Sequence, residues 1–163
     1  MRRRRPEKRT ILPDPIFNDV VVAKFVNYIM KGGKKSIAEK IFYNSLDIIK
    51  AKAKTEEPLD VFKKALENVA PVVEVKSKRI GGATYQVPME VSQNRRYALA
   101  MRWILTFSRS KKGTSMYSKL ASELISASNK EGSAYKKKED THKMAEANKA
   151  LLTSGNNYEK YLT

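Results

Sequence analysis

The sequence contains no cysteine, so disulfide staples and thiolate chemistry are excluded, which fits a reducing compartment. No run approaches the ~18 apolar residues of a membrane span. No segment offers the strongly apolar amphipathic face that inserts into a bilayer, so no membrane partner is expected. The opening segment lacks the apolar stretch of a secretory signal. Only one histidine is present, His142. Glu139 stands three residues before it, but no second ligand or nucleophile has a compelling spacing. There is no dinucleotide fingerprint and no zinc-ligand set. Gly33-Lys34-Lys35-Ser36 has the outline of a phosphate-binding loop and fails the test. Tyr28 occupies the required first glycine, Lys35 replaces Ser or Thr, and a helix precedes it rather than a strand. A nuclease assembled from remote acids is the one enzymatic alternative. The expectation is a non-enzyme without metal or cofactor.

What the chain has in excess is positive charge. Lys and Arg number 33 against 17 Asp and Glu, a formal charge of +16 over 163 residues. That length suits a single domain with a real core. The charge opposes compaction and favours polyanions. It is spread over the N-terminus, a hairpin, an arginine-rich helix and a late helix, which fits nucleic acid.

The stretch from Val72 to Arg109 organises the chain. Two β-rich runs meet at Gly81-Gly82, a linker suited to a tight hairpin. In that register Lys78 faces Tyr85, Lys76 faces Val87 and Glu74 faces Met89. Arg79, Ser77 and Val75 then oppose Thr84, Gln86 and Pro88. Neither face is cleanly apolar towards the tip, unlike a sheet packed on a core. The pattern reads as an arm whose base, around Val73, Val75, Met89 and Val91, touches the body. Its tip carries Lys76, Lys78, Arg79 and Tyr85. From the hairpin alone two readings stay open: an arm ordered by an anionic partner, and a solvated hairpin whose lysines guard its edges.

A helix opened by Ser92 follows. Arg95, Arg102 and Arg109 recur every seven residues, within about 40° of one another on a helical wheel. Arg96 and Trp103 sit beside that stripe, Trp103 as a core or boundary residue. Ala98, Met101, Ile104, Leu105 and Ser108 mark the opposite side. Arginine suits bidentate phosphate contact and base stacking, and the stripe has no acid at i±4.

The remaining segments read as helices around this unit. Residues 1–13 form a basic, disorder-prone arm able to track phosphates through Arg3, Arg4, Arg5, Lys8 and Arg9. Asn18 is the expected cap of a first helix, with Asp19 near its positive end. That helix buries Val22, Phe25, Val26 and Ile29 and stops at Gly32-Gly33. Ser36 and Glu39 form a capping box for a second helix, which buries Ile37, Ala38, Ile41, Phe42, Ile48 and Ile49. Pro58 opens a third, with Phe62, Ala65, Leu66 and Val69 inside and Pro71 at its end. After Lys111-Lys112-Gly113, Thr114 or Ser115 caps a fifth helix, which buries Tyr117, Leu120, Ala121, Leu124 and Ile125. Gly132-Ser133 separate it from a sixth, thinly apolar at Tyr135, Met144, Ala145 and Leu151 and rich in Lys136, Lys137, Lys138 and Lys143. A helix with so little to bury lies on the surface or against a partner. Residues 153–163 read as a polar, disorder-prone tail. The fold class is mainly α: a six-helix body with a protruding two-stranded hairpin between helices 3 and 4, all one RNA-binding domain over 1–163.

Three ordered motifs carry a family resemblance. The first runs from Asp19 through Phe25-Val26, Gly33-Lys34-Lys35 and Ile41-Phe42 to Ser45. The second is the hairpin tip Arg79-Ile80-Gly81-Gly82-Ala83-Thr84-Tyr85-Gln86-Val87-Pro88. The third spans Lys138-Glu139-Asp140-Thr141-His142-Lys143-Met144-Ala145 to Lys149. With the basic N-terminus, they make the chain resemble the family of small ribosomal subunit protein seven, in its bacterial or organellar form, over residues 1 to about 150. The resemblance implies an early binder of the 3′ major domain of small-subunit ribosomal RNA that nucleates assembly of the subunit head. It implies a hairpin tip near the exit-site tRNA and the messenger path, with ribosomal proteins nine and eleven as neighbours, in a cytoplasmic or organellar ribosome. Carried onto this sequence, the RNA-contacting positions are the N-terminal arm, Lys34, Lys35, Lys76, Lys78, Arg79, Arg95, Arg102, Arg109, Lys111, Lys112, Met116, Lys136, His142 and Lys143. The tip is Ile80, Gly81, Gly82, Ala83, Thr84 and Tyr85. One departure is the ending: Leu151-Leu152-Thr153-Ser154-Gly155 follows where many bacterial relatives carry aromatic and basic residues. The alternative of another class is a free-standing DNA-binding or nucleoid protein, with one helix in a major groove.

Overall fold

A computed structural model describes residues 4, 6, 9–53, 56–80 and 82–153, the side chains of Ile80, Ala83 and residues 150–153 excepted. Its elements run α1 (Val20–Ile29), α2 (Lys35–Ala53), α3 (Pro58–Val69), β1 (Val73–Ile80), β2 (Ala83–Glu90), α4 (Gln93–Ser110), α5 (Met116–Ser128) and α6 (Gly132–Thr153). The six helices and the hairpin between α3 and α4 match the architecture expected from sequence.

Three phenylalanines from three helices hold the first half together. Phe25, Phe42 and Phe62 are fully buried, with ring centroids 4.9, 5.2 and 5.6 Å apart in tilted and edge-on pairs. Edge contacts set the positive rim of one ring against the negative face of another, adding about 0.5–1.5 kcal/mol per pair beyond area burial. α5 lies across this group and packs on α2, α3, α4 and α6. Its Leu120, Ala121 and Leu124 are fully buried.

The helix starts correct two expectations. Asp19, not Asn18, caps α1: Asp19 is extended and its carboxylate accepts the Val21 N–H at 2.7 Å. Asn18 has φ 49 and donates its N–H to the Asp14 carbonyl at 2.8 Å, closing a turn and leaving no N-cap geometry. α2 begins at Lys35, so Ser36 lies inside its first turn and no capping box forms. Glu39 instead pairs with Lys35 at 3.7 Å. The bend before α2 needs Gly32 and Gly33 at φ +59 and +74, a conformation that Cβ disfavours.

Burial also departs in places. Ile37, Tyr117, Met89 and Met144 are exposed, while Ile41, Ile48 and Ile125 are half-buried against the core. Trp103 is half-buried at the core boundary, as its place on the wheel predicts. Exposure of Met89 leaves Val91, with half-buried Val73 and Val75, as the apolar base of the hairpin.

Phe42→Ala removes the ring that touches both others, and a loss of about 3–5 kcal/mol in unfolding free energy is expected. Urea denaturation followed by circular dichroism measures it; a loss below about 1 kcal/mol contradicts a core centred on this triad.

Candidate nucleic-acid interface

The hairpin is antiparallel with the register expected from its glycine turn: Lys78 pairs with Tyr85, Lys76 with Val87 and Glu74 with Met89. Eight residues per strand give the arm a reach of about 27 Å. Lys76, Lys78, Arg79, Gly82, Thr84 and Tyr85 are exposed along it. Its base does not stand free: both strands lie against α6, and the Val72 N–H donates to His142 Nε2 at 3.0 Å. This explains a sixth helix with so few apolar residues. Among its described side chains only Ala134, Thr141 and Ala145 are buried, and part of its role is to support the hairpin.

The arginine stripe of α4 is divided by its partners. Arg95 forms a bidentate pair with Glu74 of β1, Nε to Oε1 at 2.6 Å and Nη2 to Oε2 at 2.9 Å. The helix offers Arg95 no acid at i±4, as its sequence indicates; the acid that pairs with it comes from the hairpin. Arg109 donates to the carbonyls of Tyr28 and Ile29 at 3.3 and 3.1 Å, satisfying the last turn of α1 at its negative end. Arg102, midway, is exposed, and its Nε donates to the Ala98 carbonyl of its own helix at 3.4 Å. The stripe spans about 21 Å at ~1.5 Å per residue. It therefore joins two cationic regions. One lies at the hairpin base with α6. The other, at the far end, places Lys31, Lys34, Arg109 and Met116 around a cavity of about 240 Å³ walled by Ile29, Ile37 and Ile41.

Lys111 turns inward. Its ammonium lies 2.7 Å from Oε2 of Glu123, which is 1% exposed, and 3.4 Å from Ser122 Oγ. The other oxygen of Glu123 accepts the Ala134 N–H at 3.1 Å, at the start of α6. A Cβ on Gly132 would meet Ser126 Cβ at 3.1 Å and Glu123 Oε1 at 3.3 Å, so the glycine lets α6 approach the carboxylate. Lys112, Lys136 and Lys143 are exposed, as are Lys34 and Lys35, and Met116 is half-buried. Arg4 and Arg9 are exposed; Arg3, Arg5, Lys8 and Gly81 lie outside the described residues, as does the tail beyond residue 153.

Several residues escape a reading of the sequence. Asp14 is 4% exposed and accepts the Ile16 and Phe17 N–H groups and the Tyr43 hydroxyl at 2.8 Å, fixing where the basic arm leaves the body. Burial, then the hydrogen bond and charge of Asp14, push the Tyr43 phenol up to about 12. Lys31 of the far cavity escapes it too; its only signal is a lysine beside a glycine turn. Glu123 is visible only as a carboxylate inside the apolar stripe Leu120-Ala121-Leu124.

Among the described residues no group of His, Asp and Glu side chains could hold a metal ion, and no helix is long and apolar enough to cross a membrane. The sequence model of the family described as Ribosomal protein S7p/S5e matches residues 1–149. Similar curated proteins carry the name small ribosomal subunit protein uS7. That of Caulobacter vibrioides strain NA1000 is 59% identical over 150 residues, covering 92% of this chain and 96% of the relative. That of Anaeromyxobacter sp. strain Fw109-5 is 61% identical with the same coverage. That of Thermotoga maritima is 60% identical over 151 residues, 93% of this chain and 97% of the relative.

The His142 contact makes the hairpin base pH-dependent. Burial first, then the charges of Lys138 and Arg96 against the pull of Glu146, hold the imidazole below its ordinary 6.5. Nε2 accepts only while the ring is neutral. The contribution is therefore full above about pH 6.5, and it is lost as pH falls through the depressed folded value. In an NMR titration, His142 should titrate below 6.5 with the Val72 amide shift following the same midpoint. A midpoint above that ordinary value, or a static Val72 amide, contradicts the contact.

Proposed function

The chain belongs to the ribosomal protein S7p/S5e family, and from that premise we propose that it binds the 3′ major domain of small-subunit ribosomal RNA and nucleates assembly of the subunit head. The family is one of ribosomal proteins of the small subunit, not of enzymes. The observation that carries the finer reading is the outward distribution of cations once the internally used ones are set aside. Arg95, Arg109 and Lys111 have protein partners; Lys34, Lys76, Arg79, Arg102, Lys112, Lys136 and Lys143 are exposed on several separate elements. A broad, folded array of this kind fits the phosphates of a compact RNA, recognised by shape and by splayed bases rather than by a groove code.

The arm deepens the same reading. At the exposed tip Tyr85 pairs across the strands with Lys78, so one face offers a stacking surface and a phosphate ligand together, and Arg79 opposite Thr84 adds a cation on the other. In the family resemblance this tip reaches the exit-site tRNA and the messenger path, with proteins nine and eleven alongside. A base stacked on Tyr85 contributes about 1–3 kcal/mol. Arg95 acts here as a positioning residue, fixing the angle of the hairpin on α4 through Glu74.

Arg79→Glu combined with Arg102→Glu tests the interface without touching the buried core. Filter binding to a transcript of the 3′ major domain is measured from low to physiological salt. Each lost phosphate contact makes the log–log salt slope shallower by about 0.7–0.9, so the double variant should flatten it by about twice that and lose affinity while its helical circular dichroism is unchanged. Unchanged affinity and slope would remove both residues from the interface. Equal wild-type affinity for duplex DNA would favour the free-standing DNA-binding alternative.

A further inference from the structure

The groove between α1 and α4 holds a cavity of about 240 Å³ that the phosphate contacts above do not use. Each wall is one helical stripe. Val21, Lys24 and Tyr28 follow at spacings of three and four on α1, and Asn94, Ala98 and Met101 at four and three on α4. Met101 is buried, and Val21 and Ala98 are half-buried, so the interior is apolar. Ile11 adds a further apolar side chain from the segment before α1. The polar lining is of another kind. It comprises the carboxamides of Asn27 and Asn94, the phenols of Tyr28 and Tyr97 and the ammonium of Lys24. None of these groups has a hydrogen-bond or ion-pair partner among the described residues, and no acid among those residues lines the cavity.

This lining discriminates between occupants. An apolar side chain would fill the interior but would cover polar groups without matching them, at the cost of their bonds to water. A lone phosphate would meet Lys24 and gain nothing from two aromatic rings. A nucleobase uses both features, because its face stacks on an aromatic ring and its edge hydrogen-bonds to side chains. A carboxamide presents a donor and an acceptor side by side. Adenine offers the complement, an amino donor next to a ring-nitrogen acceptor, whereas guanine offers two acceptors on that edge. The Ala98 carbonyl also accepts the Arg102 Nε–H at 3.4 Å, so the cavity adjoins the exposed middle of the arginine stripe.

We propose that the α1–α4 groove is a recognition pocket for one unstacked adenine of the bound RNA. Tyr28 and Tyr97 are its stacking surface, Asn27 and Asn94 read its edge, and Lys24 meets the phosphate of the same nucleotide. The pocket rests on the ribosomal RNA reading above for the source of its base. It adds to that reading a contact that carries sequence information, which phosphate contacts do not.

Mononucleotides are the probe. The intact protein is titrated with the monophosphates of adenosine, guanosine, cytidine and uridine, and with ribose phosphate, at constant ionic strength. NMR follows the Asn27 and Asn94 carboxamides and the Met101 methyl. Saturable shifts of all three are expected with the adenosine nucleotide, at a midpoint about tenfold below those of the other bases. Asn94→Leu should raise that midpoint about tenfold, Tyr28→Ala should abolish saturation, and Tyr28→Phe should keep it. Equal midpoints for the four bases, no saturation, or shifts reproduced by ribose phosphate would overturn the pocket. A second arm measures filter binding to the 3′ major domain transcript. Asn94→Leu should lose affinity about tenfold with an unchanged log–log salt slope, because a base contact releases no counterion. A shallower slope would make the contact one to phosphate and overturn base reading. Unchanged transcript affinity beside weakened adenosine binding would overturn the assignment of the pocket to this RNA. Wild-type protein that binds the adenosine nucleotide here yet shows no preference for the transcript over duplex DNA would overturn the parent reading instead.

Discussion

One buried carboxylate links the core to the cationic surface. Glu123 is almost wholly removed from solvent, and such a charge is tolerable only when its oxygens are matched. Lys111 matches one and the Ala134 N–H the other. The carboxylate therefore has two structural effects at once: it closes the loop after α4 and it seats the first turn of α6. α6 has too few apolar residues to dock by burial alone, and a directional tie at its start compensates for that. From there the dependence runs outward. α6 supports both strands of the hairpin and offers His142 to the Val72 N–H, while Glu74 returns from the hairpin to Arg95.

The formal charge of +16 sets the problem this arrangement solves. Repulsion among so many cations opposes compaction. A few acids are placed inward, where each neutralises a cation and also fixes a piece of geometry. Glu123 does so with Lys111, Glu74 with Arg95, and Asp19 with Lys63 at 3.0 Å. In the last pair burial works against the carboxylate's charge, but Lys63 and the Val21 and Val22 N–H groups outweigh it and hold Asp19 below its ordinary value. The cations left facing solvent are those that a polyanion can reach. Internal pairing thus fixes the frame, and the outward-facing remainder is the surface on which the proposed RNA interface rests.

The architecture was legible because local signals agreed. The Gly81-Gly82 turn set the hairpin register, and helical spacing identified the buried faces of α1 and α3 and most of that of α5. Asn18 misled because Asn and Asp both cap helices, and only the turn from Asp14 decides between them. Ile37 misled because an apolar residue in the first turn of a helix need not face the core. Partnerships distant in sequence were not legible. Arg95 and Glu74 are separated by most of a hairpin, and Lys111 and Glu123 by a helix start, so no spacing rule couples them. The site residues divide on the same line: exposed lysines follow from composition, whereas the inward use of Arg109 and Lys111 follows from tertiary packing.

The most direct measurement is sedimentation of a cell lysate through a magnesium-containing gradient, with this protein quantified by mass spectrometry and the gradient repeated at high salt. The account predicts stoichiometric comigration with small ribosomal subunits that persists after the salt wash, because folded RNA engages many cations on several elements at once. Recovery at the top of the gradient, or with chromosomal DNA, would contradict it.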